Sequence, residues 1–378
     1  MHIGFSAFVM QGGRSGVASY IRELIRTLQQ EDPRNSYDVM LPARETDLIE
    51  LNNPHFRKSL YSSLVSNPII NIAWHNTILP ILGKQKKFDL LHVPSYRRIP
   101  LIKSCPLVAT VHDVATLTMD AKYDAARMFY NRRIVPAQIR SADHIITVSH
   151  YSKKDIVERV GVPEEKITVI YSGINHRIFQ PLEKEAARAQ LAEKYNLNKP
   201  FIIYVSRLEH PAKNHVRLIE AFERFKAETD SAHQLILPGA DWNGADAIRE
   251  RAATSPVRDD ILFPGFLPLE DMPVFYSACD LMAFPSLFEG FGFPIVEALA
   301  CGAPVICSDT SSMSEIAGDV VPKFDPHSAE DLFQCLEKTL TGGWSEEQRK
   351  AGLAYAMQFD WRKAARQTLE IYERTAGL

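Results

Sequence analysis

At 378 residues the chain has room for two domains of about 150 residues each. Its 46% hydrophobic and 24% charged composition is that of a globular protein and sets aside disordered and fibrous classes. A net charge of −3 gives no reason to expect a nucleic-acid partner, and no window reaches about 18 uninterrupted apolar residues, so no membrane span is expected.

The chain enters a strand-like run at Met1-His2-Ile3-Gly4-Phe5 without a basic leader, and its five scattered cysteines contain no C-x-x-C pair, which predicts a reducing cytoplasm. Strands are predicted at residues 3–9, 37–41, 90–93, 107–111, 144–148 and 166–171, with helices at 16–30, 121–139 and 152–160. Strands alternating with helices imply parallel sheets covered on both faces. Between Phe179 and Pro200 the pattern turns polar, with a charged helix at 183–194 ahead of Asn-Leu-Asn-Lys-Pro, the composition of a domain boundary. A second series follows, with strands at 201–205, 234–237, 261–263, 281–284 and 305–307. Two doubly wound domains are expected, residues 1–180 and 181–360, with the active site in the cleft between them at the carboxyl ends of the strands.

Four stretches carry candidate chemistry. The turn Gln11-Gly12-Gly13-Arg14-Ser15-Gly16 leads from a strand into a helix, where backbone N–H groups suit an anionic or polar ligand. It is neither a clean G-x-G-x-x-G nor a P-loop, and a plain tight turn is the alternative. His112 and Asp113 end an apolar strand, where polar groups face a cleft or serve as packing and cap. Arg207 at a strand end and Lys213 at a helix entry are two cations suited to a diphosphate, with surface charge as the alternative. In Glu289-Gly290-Phe291-Gly292-Phe293-Pro294-Ile295-Val296-Glu297, a strand, a glycine turn and a helix opened by Pro294 follow one another. Glu297 has only Phe293 and Cys301 as i±4 neighbours, so its carboxylate needs ligand hydroxyls, or else lies on a solvated helix face.

With seven residues between them, Glu289 and Glu297 resemble the E-x7-E signature of the family 4 glycosyltransferases, retaining enzymes of the GT-B fold. Arg207 with Lys213-Asn214, the Gly12-Gly13 loop, His112-Asp113, Val148-Ser149 and Tyr171-Ser172-Gly173-Ile174-Asn175 are similar to the rest of that family's pattern. The resemblance implies an α/β GT-B architecture: two Rossmann-like doubly wound parallel-sheet domains facing a cleft. Residues 1–180 would bind acceptor and residues 181–360 the donor, and a final helix within 361–378 would cross back to the N-terminal domain. It also implies roles. Arg207 and Lys213 would hold the departing diphosphate, Glu289 and the backbone of Gly290, Phe291 and Gly292 the donor sugar, and Glu297 the ribose. His112 would contact the sugar's 6-hydroxyl, Gly13 the phosphates or acceptor, and Phe266 with Leu267 the nucleobase; Gly12, Arg14 and Asp113 are acceptor-side candidates. The first loop is longer than the family's common Gly-Gly-Ile-Gly form, and one extra residue separates Arg207 from Lys213.

The expected activity is metal-independent, retaining transfer of a hexose, mannose or glucose, from a GDP- or UDP-linked donor to a glycan or lipid-linked glycan. No cofactor is expected, and no metal, because the chain contains no D-x-D. A nucleotide-sugar 2-epimerase or hydrolase of the same architecture is the alternative enzyme, and a non-catalytic sugar-nucleotide or glycan-binding module the third reading. Between His55 and Lys87 an apolar segment ends in Lys84, Lys86 and Lys87, which suits peripheral contact with the inner face of a membrane or, equally, a core helix with a charged exit.

Overall fold

The computed structural model describes residues 1–117 and 130–377; residues 118–129, which hold most of the first half of the helix expected at 121–139, lie outside them. The chain forms two compact units, Met1–Gly173 with Asp360–Leu378, and Ile174–Phe359.

In the first unit seven parallel strands, β1 (His2–Ser6), β2 (Ser36–Pro42), β3 (Phe56–Tyr61), β4 (Leu90–Val93), β5 (Leu107–Val111), β6 (His144–Thr147) and β7 (Ile167–Val169), lie in the order β3-β2-β1-β4-β5-β6-β7. β4 and β5 are buried at every position, which is why Leu-Val-Ala-Thr-Val reads as one apolar run rather than an alternation. Sequence patterning misses β3, because Phe-Arg-Lys-Ser-Leu-Tyr is too charged for an interior strand; it is the sheet edge, where Arg57 and Lys58 guard against further pairing. Phe56 pairs in register with Tyr37, and their rings stack at 4.1 Å. Helix α1 (Gly16–Glu31) follows β1, and helix α2 (Pro68–Gln85) takes up the apolar stretch of residues 55–87. From Tyr130 a wide turn to Ile134 runs into the helix Val135–Ser141.

In the second unit β8 (Phe201–Ile203), β9 (Gln234–Ile236), β10 (Ile261–Leu262), β11 (Leu281–Phe284), β12 (Val305–Ser308) and β13 (Lys323–Phe324) form a parallel sheet in the order β10-β9-β8-β11-β12-β13. Two-residue β13 has no sequence signal of its own; its partner β12 defines it through the register Cys307↔Lys323. Each sheet reverses its strand order beside its first strand, between β1 and β4 and between β8 and β11. At such a reversal the loops on either side diverge and leave a crevice at the carboxyl edge.

The helix Trp361–Ala376 packs in the first unit with Trp361, Ile371 and Tyr372 buried. A Cβ at Gly173 would stand 2.2 Å from the Trp361 nitrogen, so only glycine lets the chain pass there. Among the described residues no helix is long and apolar enough to cross a membrane.

Candidate functional site

In the second unit the loops after β8 and β11 meet at the strand reversal. Tyr204, fully buried just past β8, donates to the Lys213 carbonyl at 2.9 Å and lies 2.8 Å from Ser286 Oγ. Asn214 ties the same loops, its amide donating to the carbonyls of Pro285 and Pro326 at 3.1 and 2.9 Å. These bonds hold Lys213 against Glu289: Nζ and Oε1 are 2.6 Å apart, with the side chains only 13% and 17% exposed. Ser286 Oγ donates to the same carboxylate oxygen at 2.8 Å. The Glu289 backbone is fixed as well, its N–H donating to Ser311 Oγ at 3.2 Å and its carbonyl accepting from Ser312 Oγ at 2.8 Å. Sequence reasoning assigned Lys213 and Glu289 to different parts of one ligand; the structure makes them a charge-assisted pair, with serines that carry no motif as its frame.

Arg207 is turned to a different carboxylate. Its Nη2 donates to Glu209 at 2.8 Å and its guanidinium lies 4.9 Å from the centre of the Trp242 ring. Glu209 and Trp242 were not singled out in the sequence, although the i+2 spacing of Arg207 and Glu209 in a loop is a readable signal.

Gly292, with φ of 94°, caps the helix Phe293–Ala300. Phe291 is buried against Phe293 and Phe359, at 5.0 and 5.7 Å between ring centres, so it offers a ligand its backbone and not its ring. Glu297 receives a hydrogen bond from Tyr276 OH at 3.3 Å. It therefore has a protein partner that the expectation of ligand hydroxyls alone did not include. Burial pushes its carboxyl up to about 7, and the single phenol only partly offsets that. Phe266 is half-exposed beside Gly265, whose φ is 80°, whereas Leu267 is buried in the core. A nucleobase at this stretch can stack on Phe266 but can meet Leu267 only through its backbone.

In the first unit the glycine loop departs from the expected anion cradle. Gly12 and Gly13 take φ of 69° and 81°, but the Gly12 N–H donates to the buried Glu45 carboxylate at 3.2 Å and the Gly13 N–H to the Met10 carbonyl at 2.8 Å. Both donors are satisfied within the protein, and the nearby carboxylate repels an anion. Arg14 stands exposed at the entry to α1, whose N-cap is Ser15, accepting from the Ala18 N–H at 3.2 Å. His112, one residue past β5, packs edge-on against Tyr20 at 4.7 Å. One ring nitrogen bonds the Pro94 carbonyl, burial pulls the imidazole down to about 4, and buried Nε2 has no hydrogen-bond partner among the described residues. The ring is thus neutral with its proton on Nδ1, and Nε2 is an acceptor for a donor such as a hydroxyl. Asp113 caps its own turn, accepting from the Ala115 N–H at 3.0 Å.

The family profile described as group 1 glycosyl transferases matches residues 184–356, and that of glycosyltransferase family 4 matches residues 14–177. The O-antigen chain mannosyltransferase B of Escherichia coli is 29% identical over 268 residues, 70% of either chain. The serotype-specific mannosyltransferase WbdA of Escherichia coli is 30% identical over 274 residues, 71% of this chain, and this chain spans only 33% of that protein. Among solved structures, a sucrose-phosphate synthase from Thermosynechococcus elongatus superposes with a TM-score of 0.82 at 21% identity, covering 99% of this chain and 98% of its own. HepE of Anabaena, solved in complex with UDP and glucose, superposes with a TM-score of 0.77 at 20% identity, covering 99% and 100%. With matching profiles over both halves and the same fold throughout, the chain belongs to the family 4 glycosyltransferases, hexosyltransferases of the GT-B fold.

Proposed function

We propose that the chain transfers a hexose, mannose before glucose, with retention of configuration and without a metal, from a nucleoside-diphosphate sugar to a glycan or lipid-linked glycan at the cytoplasmic side of a membrane. The observation that carries this reading is the Lys213–Glu289 pair at the β8/β11 reversal, beside a glycine turn and a helix N-terminus. Departure of the nucleoside diphosphate places negative charge where a preorganised cation stabilises it. In this reading Lys213 carries that charge, with Arg207 as the second cation once diphosphate draws it from Glu209. Glu289 holds a sugar hydroxyl, Glu297 the ribose, Phe266 the base, and His112 Nε2 accepts from a further hydroxyl. The mannosyltransferase relatives support mannose, and the UDP-bound neighbour supports a nucleotide-linked donor, GDP or UDP.

Retention follows from front-face attack. The C1–phosphate bond breaks, the acceptor oxygen bonds C1 on the same face, and its proton passes to the departing phosphate oxygen. Glu289 positions the donor without a covalent bond, and a trapped glycosyl-Glu289 adduct in a mass spectrum would sink that assignment. The deciding experiment incubates the purified chain with each GDP- and UDP-hexose, with and without glycan acceptors, and follows products by mass spectrometry. Acceptor-dependent product supports transfer. Donor turnover without acceptor points instead to an epimerase or hydrolase, and donor binding without turnover to a binding module.

A further inference from the structure

α2 is apolar on every side, a pattern normally enclosed by protein. Only one side of it is enclosed. Trp74, His75 and Leu79 face the core, while Ile70, Ala73, Thr77 and Ile81 form an outward stripe at helical spacing, flanked by Ile69 and Ile78. Leu64 precedes the helix, and the loop carrying Ile102 is tied to it by the Leu101 N–H donating to Asn76 at 3.1 Å. Ile69, Leu64 and Ile102 are 78%, 69% and 69% exposed. A contiguous apolar surface of this kind marks an interaction site.

The charge around it is one-sided. Residues 51–112 contain eight Lys or Arg and a single acidic residue, Asp89, so this segment carries +7 while the rest of the chain carries −10 of the net −3. Lys84 and Lys87 are exposed at the end of α2, and Arg57 is exposed on the sheet edge.

We propose that the outer face of α2, with Leu64 and Ile102 beside it, docks the chain on an anionic lipid bilayer, the helix lying in the interfacial plane. Its isoleucines enter the acyl boundary, and the lysines extend along their stems to the headgroup phosphates. A second copy is the poorer occupant, because a self-paired interface would set +7 against +7. The helix begins at the carboxyl edge of the sheet, where Asn71 donates to the Phe8 carbonyl just past β1 at 3.2 Å. Docking by this face therefore brings the edge that carries Gly12 and Gly13 toward the lipid. The inference rests on the transferase reading only for what is met at the membrane; docking itself is measured without turnover.

The test is co-sedimentation of the full chain with phosphatidylcholine vesicles, with and without phosphatidylglycerol, at low and high salt. Binding is expected only to the anionic vesicles, weakening with salt. Ile70→Glu with Ile81→Glu, and separately Lys84→Glu with Lys87→Glu, should each lower partitioning by about tenfold or more. All four side chains are exposed, so circular dichroism and transfer to a soluble acceptor should stay at wild-type levels. Equal partitioning of the variants, no vesicle binding by the parent chain, or a dimer that these substitutions dissociate would overturn the proposal. Vesicle binding by a parent chain that transfers no sugar to any acceptor would leave docking standing and count against the transferase reading instead.

Discussion

A lysine and a glutamate that share one ion pair need not share one task. In the proposed reaction, removing Lys213 withdraws the cation assigned to the leaving diphosphate, and a single charge-stabilising donor is typically worth about 10²–10³ in turnover. Lys213→Ala should therefore lose about that factor in kcat with an unchanged circular dichroism spectrum; near-normal turnover would remove Lys213 from the site. Glu297 yields a prediction in pH. Its carboxyl, raised from 4.5 to about 7, is neutral in the folded protein below that value, so its contribution to stability declines as pH climbs from 4.5 through 7. Ribose hydroxyls donate best to the ionised form. Donor KM should accordingly fall as pH passes from 6 to 8, roughly the range about that midpoint, and Glu297→Gln should flatten the profile at the high-KM end. A mutant whose KM still falls with pH would rule out Glu297 as the titrating group. Sequence alone marked both residues. It could not show the Tyr276 hydroxyl on Glu297, because residues 21 positions apart meet only through the fold.

Elements set these side chains by means of backbone that few residues can adopt. Gly292 caps the helix Phe293–Ala300 at φ 94°, and a built Cβ there stands 3.4 Å from Ile295, ordinary contact. Gly292→Ala thus costs backbone strain rather than a clash, about 1–2 kcal/mol, read as a lower midpoint in denaturant titration. The helix Trp361–Ala376 joins the first unit through polar as well as apolar contacts. Tyr372 OH lies 2.5 Å from His92 Nδ1, and His92 Nε2 lies 2.8 Å from Thr110 Oγ1, which in turn meets Tyr20 OH at 3.1 Å. Burial holds the His92 imidazole down at about 3, so it stays neutral and uses one nitrogen as donor and the other as acceptor. Tyr372→Phe leaves a buried ring nitrogen without its partner and should cost about 1–3 kcal/mol, measurable in the same titration. Strands β4 and β5 and helix α1 were legible because burial on one face or two imposes its own period. β3 and β13 were not, since an edge strand and a two-residue strand draw their identity from a neighbour.

At the scale of the molecule, the chain leaves the first unit at Gly173 and returns at Asp360, so the second unit is a single uninterrupted stretch. Ending the chain at Phe359 removes Trp361, Ile371 and Tyr372 from the first unit's core, each worth about 1.5–3 kcal/mol when buried. The sum rivals the 5–15 kcal/mol, roughly, that a whole domain holds in reserve. The shortened chain should lose the first unit's cooperative unfolding transition yet still bind GDP or UDP by calorimetry, because residues 174–359 remain whole. Loss of nucleotide binding together with that transition would show that the donor site needs the first unit.

Legible along the chain alone are the α/β alternation, Arg207, Lys213, Glu289, Glu297 and His112 as candidate site residues, and the family they resemble. Those features are local, set by hydrophobic period, glycine and proline placement, and residue type. It takes the folded chain to pair Lys213 with Glu289, to lean Arg207 on Glu209 and Trp242, and to set Glu45 on the glycine-loop amide. The fold also leaves half of an apolar helix uncovered. Hydrogen bonds and desolvation act on groups brought together across tens of residues, and no spacing rule along the chain encodes which partner a charge will find.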